Sequence, residues 1–333
     1  MTGTPGTVPA PGAAPAAGPE VVTVGEAMAA LRATGPVRLG AAMRLSVAGA
    51  EANVAIGLAR LGHRAAWVGR VGDDEFGALV LRTLRAEQVD VSHARVDADG
   101  RPTGLLAREH RIADLVKLSY YRAGSAGSAL RAADVRPALN PGVRILHLTG
   151  ITPALSPAAA EAVLTAAGRA VELGITVCLD VNYRARLWPP AEARKALLPL
   201  VRIADVLVAS ADELHLVSEV PDLPEREAIT ALLAQGCGEV VITRGGDGAS
   251  VTTARGTVST PARDVPVVDV VGAGDAFVAG YLSGLLDGLD VEDRLHRATA
   301  TAAFAVTTRG DWEGLPTRRD LTLLDQPAGT TLR

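Results

Sequence analysis

Short runs of β-branched and aliphatic residues alternate along the chain with longer Ala- and Leu-rich segments of helical period. The first run is Val21-Val22-Thr23-Val24, and the first helical segment is Glu51 to Leu61, with Val54, Leu58 and Leu61 on one face. The series continues with Trp67-Val68-Gly69, a helical Phe76 to Ala86, the run Arg144 to Leu148, a helical Ala158 to Leu173 and the run Ile175 to Asp180. Beyond these come Val206-Leu207-Val208, a helix from about Ala211, the run Glu239 to Thr243, and two terminal helices from about Gly272 and Val291. Strands that are nearly continuous in apolar residues are buried on both faces, as in a parallel sheet covered by helices. Strands and helices in alternation predict an α/β fold, with a mostly parallel sheet of about eight strands.

Two segments break the alternation. In 37–48 and 95–122 polar and apolar residues interleave without a helical stripe, which predicts half-exposed strands, an antiparallel flap suited to act as a lid that shields a reaction from water. Val251 to Pro261 reads as a hairpin turning at Arg255-Gly256. Residues 1–19 are Pro-, Gly-, Ala- and Thr-rich and read as a disordered tail, without the charge or apolar run of a signal peptide. A single domain is expected over 20–325, followed by a short tail over 326–333.

Composition narrows the class. With 48% hydrophobic residues the 333-residue chain has the apolar surface for a substantial core. A formal charge of −4 and 3% aromatic residues argue against a nucleic-acid partner, which would favour a basic face or stacking platform. No apolar stretch reaches the roughly 18 to 20 residues needed to span a bilayer, so a cytoplasmic location is expected. Cys178 and Cys237 lack metal-ligand spacing and read as small core residues. The histidines, His147 in an apolar strand and His110 in the lid among them, show no paired spacing and read as structural.

The strongest chemical signal is Asp269-Val270-Val271-Gly272-Ala273-Gly274-Asp275, where a β-branched run meets Gly-x-Gly-Asp and then a helix. Glycines let backbone N–H groups converge on an anion, the helix start stabilises a transferring phosphoryl group, and Asp275 stands where it could take a proton from an attacking hydroxyl. In a chain with 35 glycines the same residues also suit a plain strand-to-helix turn that Asp275 caps. A second strand runs into a glycine turn at Thr243-Arg244-Gly245-Gly246-Asp247-Gly248. A third element, Gly49-Ala50-Glu51-Ala52-Asn53, opens the first long helix. A fourth, Asp180-Val181-Asn182-Tyr183-Arg184, lies at the C-terminal end of an apolar strand, the edge where open α/β sheets bind ligands.

Taken together, Gly-Ala-Glu-x-Asn at 49–53 and Asp-x-x-Gly-Ala-Gly-Asp at 269–275 resemble the signatures of the ribokinase-like carbohydrate kinases of the phosphofructokinase-B type, over about Val21 to Leu324. The GxxxxGK[ST] loop and the protein-kinase motif set are absent. Within the family the chain is similar to the 2-keto-3-deoxygluconate kinases in Tyr120 to Leu130, His147 to Ser156 and Asp180 to Arg184. The resemblance implies a three-layer α/β/α ribokinase-like fold with a small β lid. It implies ATP-dependent phosphorylation of a sugar or sugar acid, with Asp275 as base and Gly272, Ala273 and Gly274 as the anion hole. Gly49, Asn53, Tyr120, Arg122 and Arg184 would contact the sugar acid, and paired Arg hydrogen bonds suit a carboxylate. Ser210, Glu213, Thr243, Gly245 and Gly248 would line the ATP site, Glu213 holding Mg²⁺ through water. It further implies a monovalent cation such as K⁺ at the Asp269 loop, and a homo-oligomer, a dimer or higher.

Three positions depart from the pattern. Leu106 replaces a substrate-binding Tyr of the sugar-acid kinases, Ser210 replaces the usual Asn of Asn-x-x-Glu, and Ala30 replaces the Asp that ribose and adenosine kinases carry. Leu106 keeps a neutral ketose such as fructose open as the substrate. A non-catalytic sugar- or nucleotide-binding protein is the remaining alternative, since a fold alone establishes no activity.

Overall fold

The computed structural model describes residues 18–112 and 115–326. Of the tails expected over 1–19 and 326–333, residues 1–17 and 327–333 lie outside the described residues, as does the side chain of His110. The main sheet has eight strands. From edge to edge they are Gly256–Thr260, Ala249–Thr253, Glu239–Thr243, Val206–Ser210, Thr176–Asp180, Ile145–Thr149, Val21–Val24 and Ala65–Val68. Every pairing from Glu239–Thr243 to Ala65–Val68 is parallel, and an antiparallel hairpin closes the other edge.

Side-chain alternation divides the core between the two faces of this sheet. Val22, Val24, Leu146, Leu148, Val177 and Leu179 point to one cluster, covered by helices Pro157–Leu173, Pro190–Val201 and Glu225–Ala234. Val21, Ile145, Cys178, Val206 and Val241 point to the other, covered by Ala50–Arg60, Glu75–Ala86, Ala273–Leu286 and Val291–Val306. Both cysteines are buried and free. His147 is fully buried beside Cys178, and burial pushes its imidazole down to about 3, so it packs as a neutral ring.

Helix starts follow the local sequence. Asp74 Oδ1 accepts from Gly77 N at 2.7 Å, and Ser156 Oγ accepts from Ala159 N at 3.1 Å, each satisfying a donor of the first turn. No helix among the described residues is long and apolar enough to cross a membrane.

The second sheet forms the lid, and it differs from the expected flap. Its order is Met43–Ala48, Met28–Ala33, Leu105–Ile112, Leu115–Tyr121. Met28–Ala33, absent from the sequence reading, is central and pairs parallel with Leu105–Ile112, so the lid is mixed rather than antiparallel. Val37–Leu39 is a 3₁₀ turn, and Arg95–Asp97 pairs with Arg70–Gly72 in a separate two-stranded sheet. The segment from Ala211 is only a 3₁₀ turn and the short helix Leu214–Val217. The hairpin appears where expected, with Thr253 opposite Gly256.

Candidate active site

Because the strands are parallel, Thr149, Asp180, Ser210 and Thr243 end at one edge of the sheet, Asp180 beside Thr149 and Ser210 beside Thr243. Asp275, third residue of helix Ala273–Leu286, reaches the same edge. Its Oδ2 accepts from Asn53 Nδ2 at 2.7 Å and its Oδ1 from Asn182 Nδ2 at 3.4 Å. Asn182 also donates to Asp180 Oδ2 at 2.8 Å, so one amide bridges two buried carboxylates. It can do so because its backbone is left-handed, with φ of 40°, a conformation Asn tolerates better than most residues.

Burial raises the Asp275 carboxyl above its ordinary value, against the Asn53 hydrogen bond, the charge of Arg184 and the Asn182 hydrogen bond, which pull it down. Asp180 is pushed up to about 8, first by burial and then by the carboxylates of Glu213 and Asp275. A carboxylate made more basic in this way is better matched to proton abstraction near neutral pH.

The turn before the helix is built for close approach. Gly272 has φ of 79°, and a Cβ there would lie 1.9 Å from the carbonyl oxygen of Asp311, so neither the angle nor the space admits a side chain. Gly274 faces open space on its Cβ side. Ala273 N is bonded to Val270 O and Ala276 N to Gly272 O. The N–H groups of Gly274 and Asp275 have no backbone acceptor among the described residues, the usual state of a first helical turn and the basis of anion binding there.

The lid end of the site is more acidic than the sequence reading anticipated. Arg122 is buried and pairs with Glu26 at 2.5 Å, and its guanidinium lies 5.5 Å from the Tyr120 ring centroid. Ser125 Oγ donates to the other Glu26 oxygen at 2.6 Å. Gly49 lies against the same corner, where a Cβ would be 2.4 Å from the Glu26 carbonyl oxygen. Glu51 accepts from Thr149 and Thr152 hydroxyls at 2.6 and 2.7 Å, and burial raises its carboxyl despite these bonds. Leu106 sits between Ala30 and Tyr120 across the lid strands, in a small apolar patch with Ala48 and Leu118.

Arg184 differs from Arg122. It is exposed, donates among the described residues only to the Tyr183 carbonyl, and its charge reaches Asp180 and Asp275. Glu213 accepts from Tyr183 N at 2.6 Å and Ser210 N at 2.8 Å, which holds it at the sheet edge. Thr243, Gly245 and Gly248 line the end of the next strand, with Gly245 open on its Cβ side. No group of three or more His, Cys, Asp or Glu side chains among the described residues could hold a metal ion.

Sequence reasoning missed Glu26 and Asp311. Asp311 is buried, and burial pushes its carboxyl up to about 6, with Arg32 and Arg108 opposing and Asp275 and Asp269 adding to the rise. Each is a lone acid without a spacing pattern. The hint the sequence offered was Glu26, two residues after the end of the first apolar strand.

The sequence matches the model of the pfkB family carbohydrate kinases over residues 19–318. It is 40% identical over 307 residues to the 2-dehydro-3-deoxygluconokinase of Thermoproteus tenax, spanning 90% of this chain and 92% of that protein. It is 37% identical over 316 residues to the 2-dehydro-3-deoxygluconokinase of Bacillus subtilis strain 168, spanning 91% and 94%. A solved structure of a fructokinase double mutant from Vibrio cholerae O395, in a form bound to fructose, ADP and a potassium ion, superposes with a TM-score of 0.80 at 28% identity, over 92% of this chain and 99% of that one.

Proposed function

Since the chain belongs to the pfkB family of carbohydrate kinases, we propose that it transfers the γ-phosphoryl group of ATP to the 6-hydroxyl of 2-keto-3-deoxygluconate. Asp275 takes the hydroxyl proton, the hydroxyl oxygen forms a bond to the γ-phosphorus, the bond to the ADP oxygen breaks, and the products are the 6-phosphate and ADP. The observation that carries this reading is the pairing of a buried, Asn-held Asp275 with the two free N–H groups of Gly274 and Asp275 at one helix start. The proton acceptor and the donors for the developing phosphoryl charge thus occupy adjacent positions, and neither has to reorganise during the reaction. MgATP supplies the phosphoryl group and the metal charge that neutralises it.

The sugar acid is favoured by the relatives' activity and by Arg184, a cation at the sheet edge with no carboxylate hydrogen-bonded to it among the described residues. Asn53 serves by orienting Asp275, and Arg122, already neutralised on one side by Glu26, orients Tyr120. Thr243, Gly245 and Gly248 take the nucleotide. A neutral ketose is the second reading, favoured by the apolar patch around Leu106. A coupled ADP-release assay comparing 2-keto-3-deoxygluconate with fructose decides between them. A higher kcat/KM on fructose rejects the acid, and no ADP release on any sugar or sugar acid rejects the kinase.

A further inference from the structure

Asp269 closes the strand-like approach to the anion-hole turn and is almost fully buried. Its Oδ1 accepts from Val271 N at 3.1 Å, one residue before Gly272, and its Oδ2 accepts from Gly310 N at 3.2 Å, one residue before the Asp311 carbonyl that packs on Gly272. One carboxylate therefore ties together both backbone segments that shape the turn. A buried carboxylate in that position needs a compensating positive charge.

The family resemblance implies a monovalent metal ion here, and the fructokinase structure described above holds a potassium ion. The residues of this chain do not suit one. Both Asp269 oxygens already accept hydrogen bonds, and Arg108 Nη2 donates to Oδ1 at 2.6 Å. The two side chains are each only 4% exposed. Burial works to raise the Asp269 carboxyl, but Arg108 together with the two backbone donors holds it below its ordinary value. Arg108 comes from the lid strand Leu105–Ile112, and its strand neighbour Arg32 anchors the lid to Arg309 O and Glu313.

We propose that Arg108 is a built-in counter-cation: its guanidinium compensates Asp269 in place of a monovalent metal ion, and so orders the anion-hole turn only when the lid is down. Arg108 is a positioning residue, since it acts on the transferring phosphoryl group through Asp269 and Val271. A guanidinium carries the same single charge as K⁺ and is tethered, so its occupancy does not depend on salt composition. The inference rests on the kinase reading for its catalytic consequence but not for its ion-binding consequence.

The test uses the full chain in K⁺ and in tetramethylammonium buffers at equal ionic strength. Without substrates, wild-type Tm is expected to be the same in both, because an ion that does not bind the native state cannot shift it by mass action. Wild-type kcat is expected to be equally indifferent. Arg108→Met leaves Asp269 unpaired, and its kcat is expected to fall by about tenfold or more in tetramethylammonium, the scale of one lost charge-assisted contact. Added K⁺ should then raise both its Tm and its kcat, while Arg108→Lys, which keeps the charge, should stay indifferent. Wild-type stabilisation or activation by K⁺ overturns the proposal, whether or not Arg108→Met folds. An Arg108→Met variant with wild-type kcat in both buffers also overturns it. Absence of ADP release in every buffer would instead reject the kinase reading and leave the Tm comparison to stand alone.

Discussion

Asp275 owes its basicity to burial and its orientation to two amides, so removing the charge while keeping the shape isolates its chemistry. Asp275→Asn is expected to bind ATP and fold normally but to lose about 10² to 10⁴ in kcat, the usual worth of a positioned base. More than a tenth of wild-type kcat in the pure variant would assign the proton elsewhere. Asp180 makes a thermodynamic prediction. It ionises near 3.8 in the unfolded chain and near 8 in the folded one, so folding favours its protonated form. Its contribution is full below pH 3.8 and is lost as pH rises through 8, with a slope of up to about 1.4 kcal/mol per pH unit. Melting curves of Asp180→Asn should therefore overtake those of wild type toward pH 8 and converge with them at about pH 4, and a pH-independent difference would refute the shift. The two arginines separate in the same manner. Arg122→Met strands buried Glu26 and should cost about 3 kcal/mol or more of stability. Arg184→Ala should leave Tm unchanged and lower the ratio of kcat/KM for the sugar acid over fructose. Equal losses on both substrates would remove Arg184 from carboxylate recognition. Asp275 and Asn53 were legible because they sit in ordered motifs. Glu26 was not, because only its contact with a residue 96 positions later gives it meaning.

Among elements, the glycine turn makes the sharpest distinction. Gly272 and Gly274 look equivalent in sequence, yet only Gly272 is left-handed and packed against backbone. Gly272→Ala should lower Tm and kcat together, since it meets both the angular and the steric constraint. Gly274→Val should keep Tm close to wild type and weaken ATP binding, because its side chain would fill the space in front of the free N–H groups; calorimetry showing unchanged ATP affinity would argue against the anion hole. The parallel strands were readable from their apolar runs, whose two-sided burial leaves a direct trace in composition. Met28–Ala33 left none. Its Ala, Leu, Met and Arg are helix formers without a β-branched residue, and it is a strand only because Met43–Ala48 and Leu105–Ile112 offer it partners on both sides. The helices Pro190–Val201 and Glu225–Ala234 also escaped notice, the first with a proline inside it.

At the scale of the molecule, the site is a junction between distant parts of the chain. Asn53 meets Asp275 across 222 positions, and the lid is fastened to the last stretch of the fold by Trp312 donating to Val47 O, by Ser46 donating to Glu313 and by the Arg32–Glu313 pair, which spans 281 positions. Such contacts join residues far apart in sequence, the kind of topology that slows folding. The layered core could be inferred from local pattern, but this fastening could not, since nothing near Arg32 or Ser46 announces a partner so remote. The clasp also sets a schedule for biosynthesis. The strand Met28–Ala33 is synthesised well before the partners that secure it, with 281 positions between Arg32 and Glu313. Until 309–313 have emerged, a nascent chain can assemble much of its sheet and the Arg108–Asp269 pair but lacks this clasp, so the strand Met28–Ala33 stays less firmly held until those residues are made.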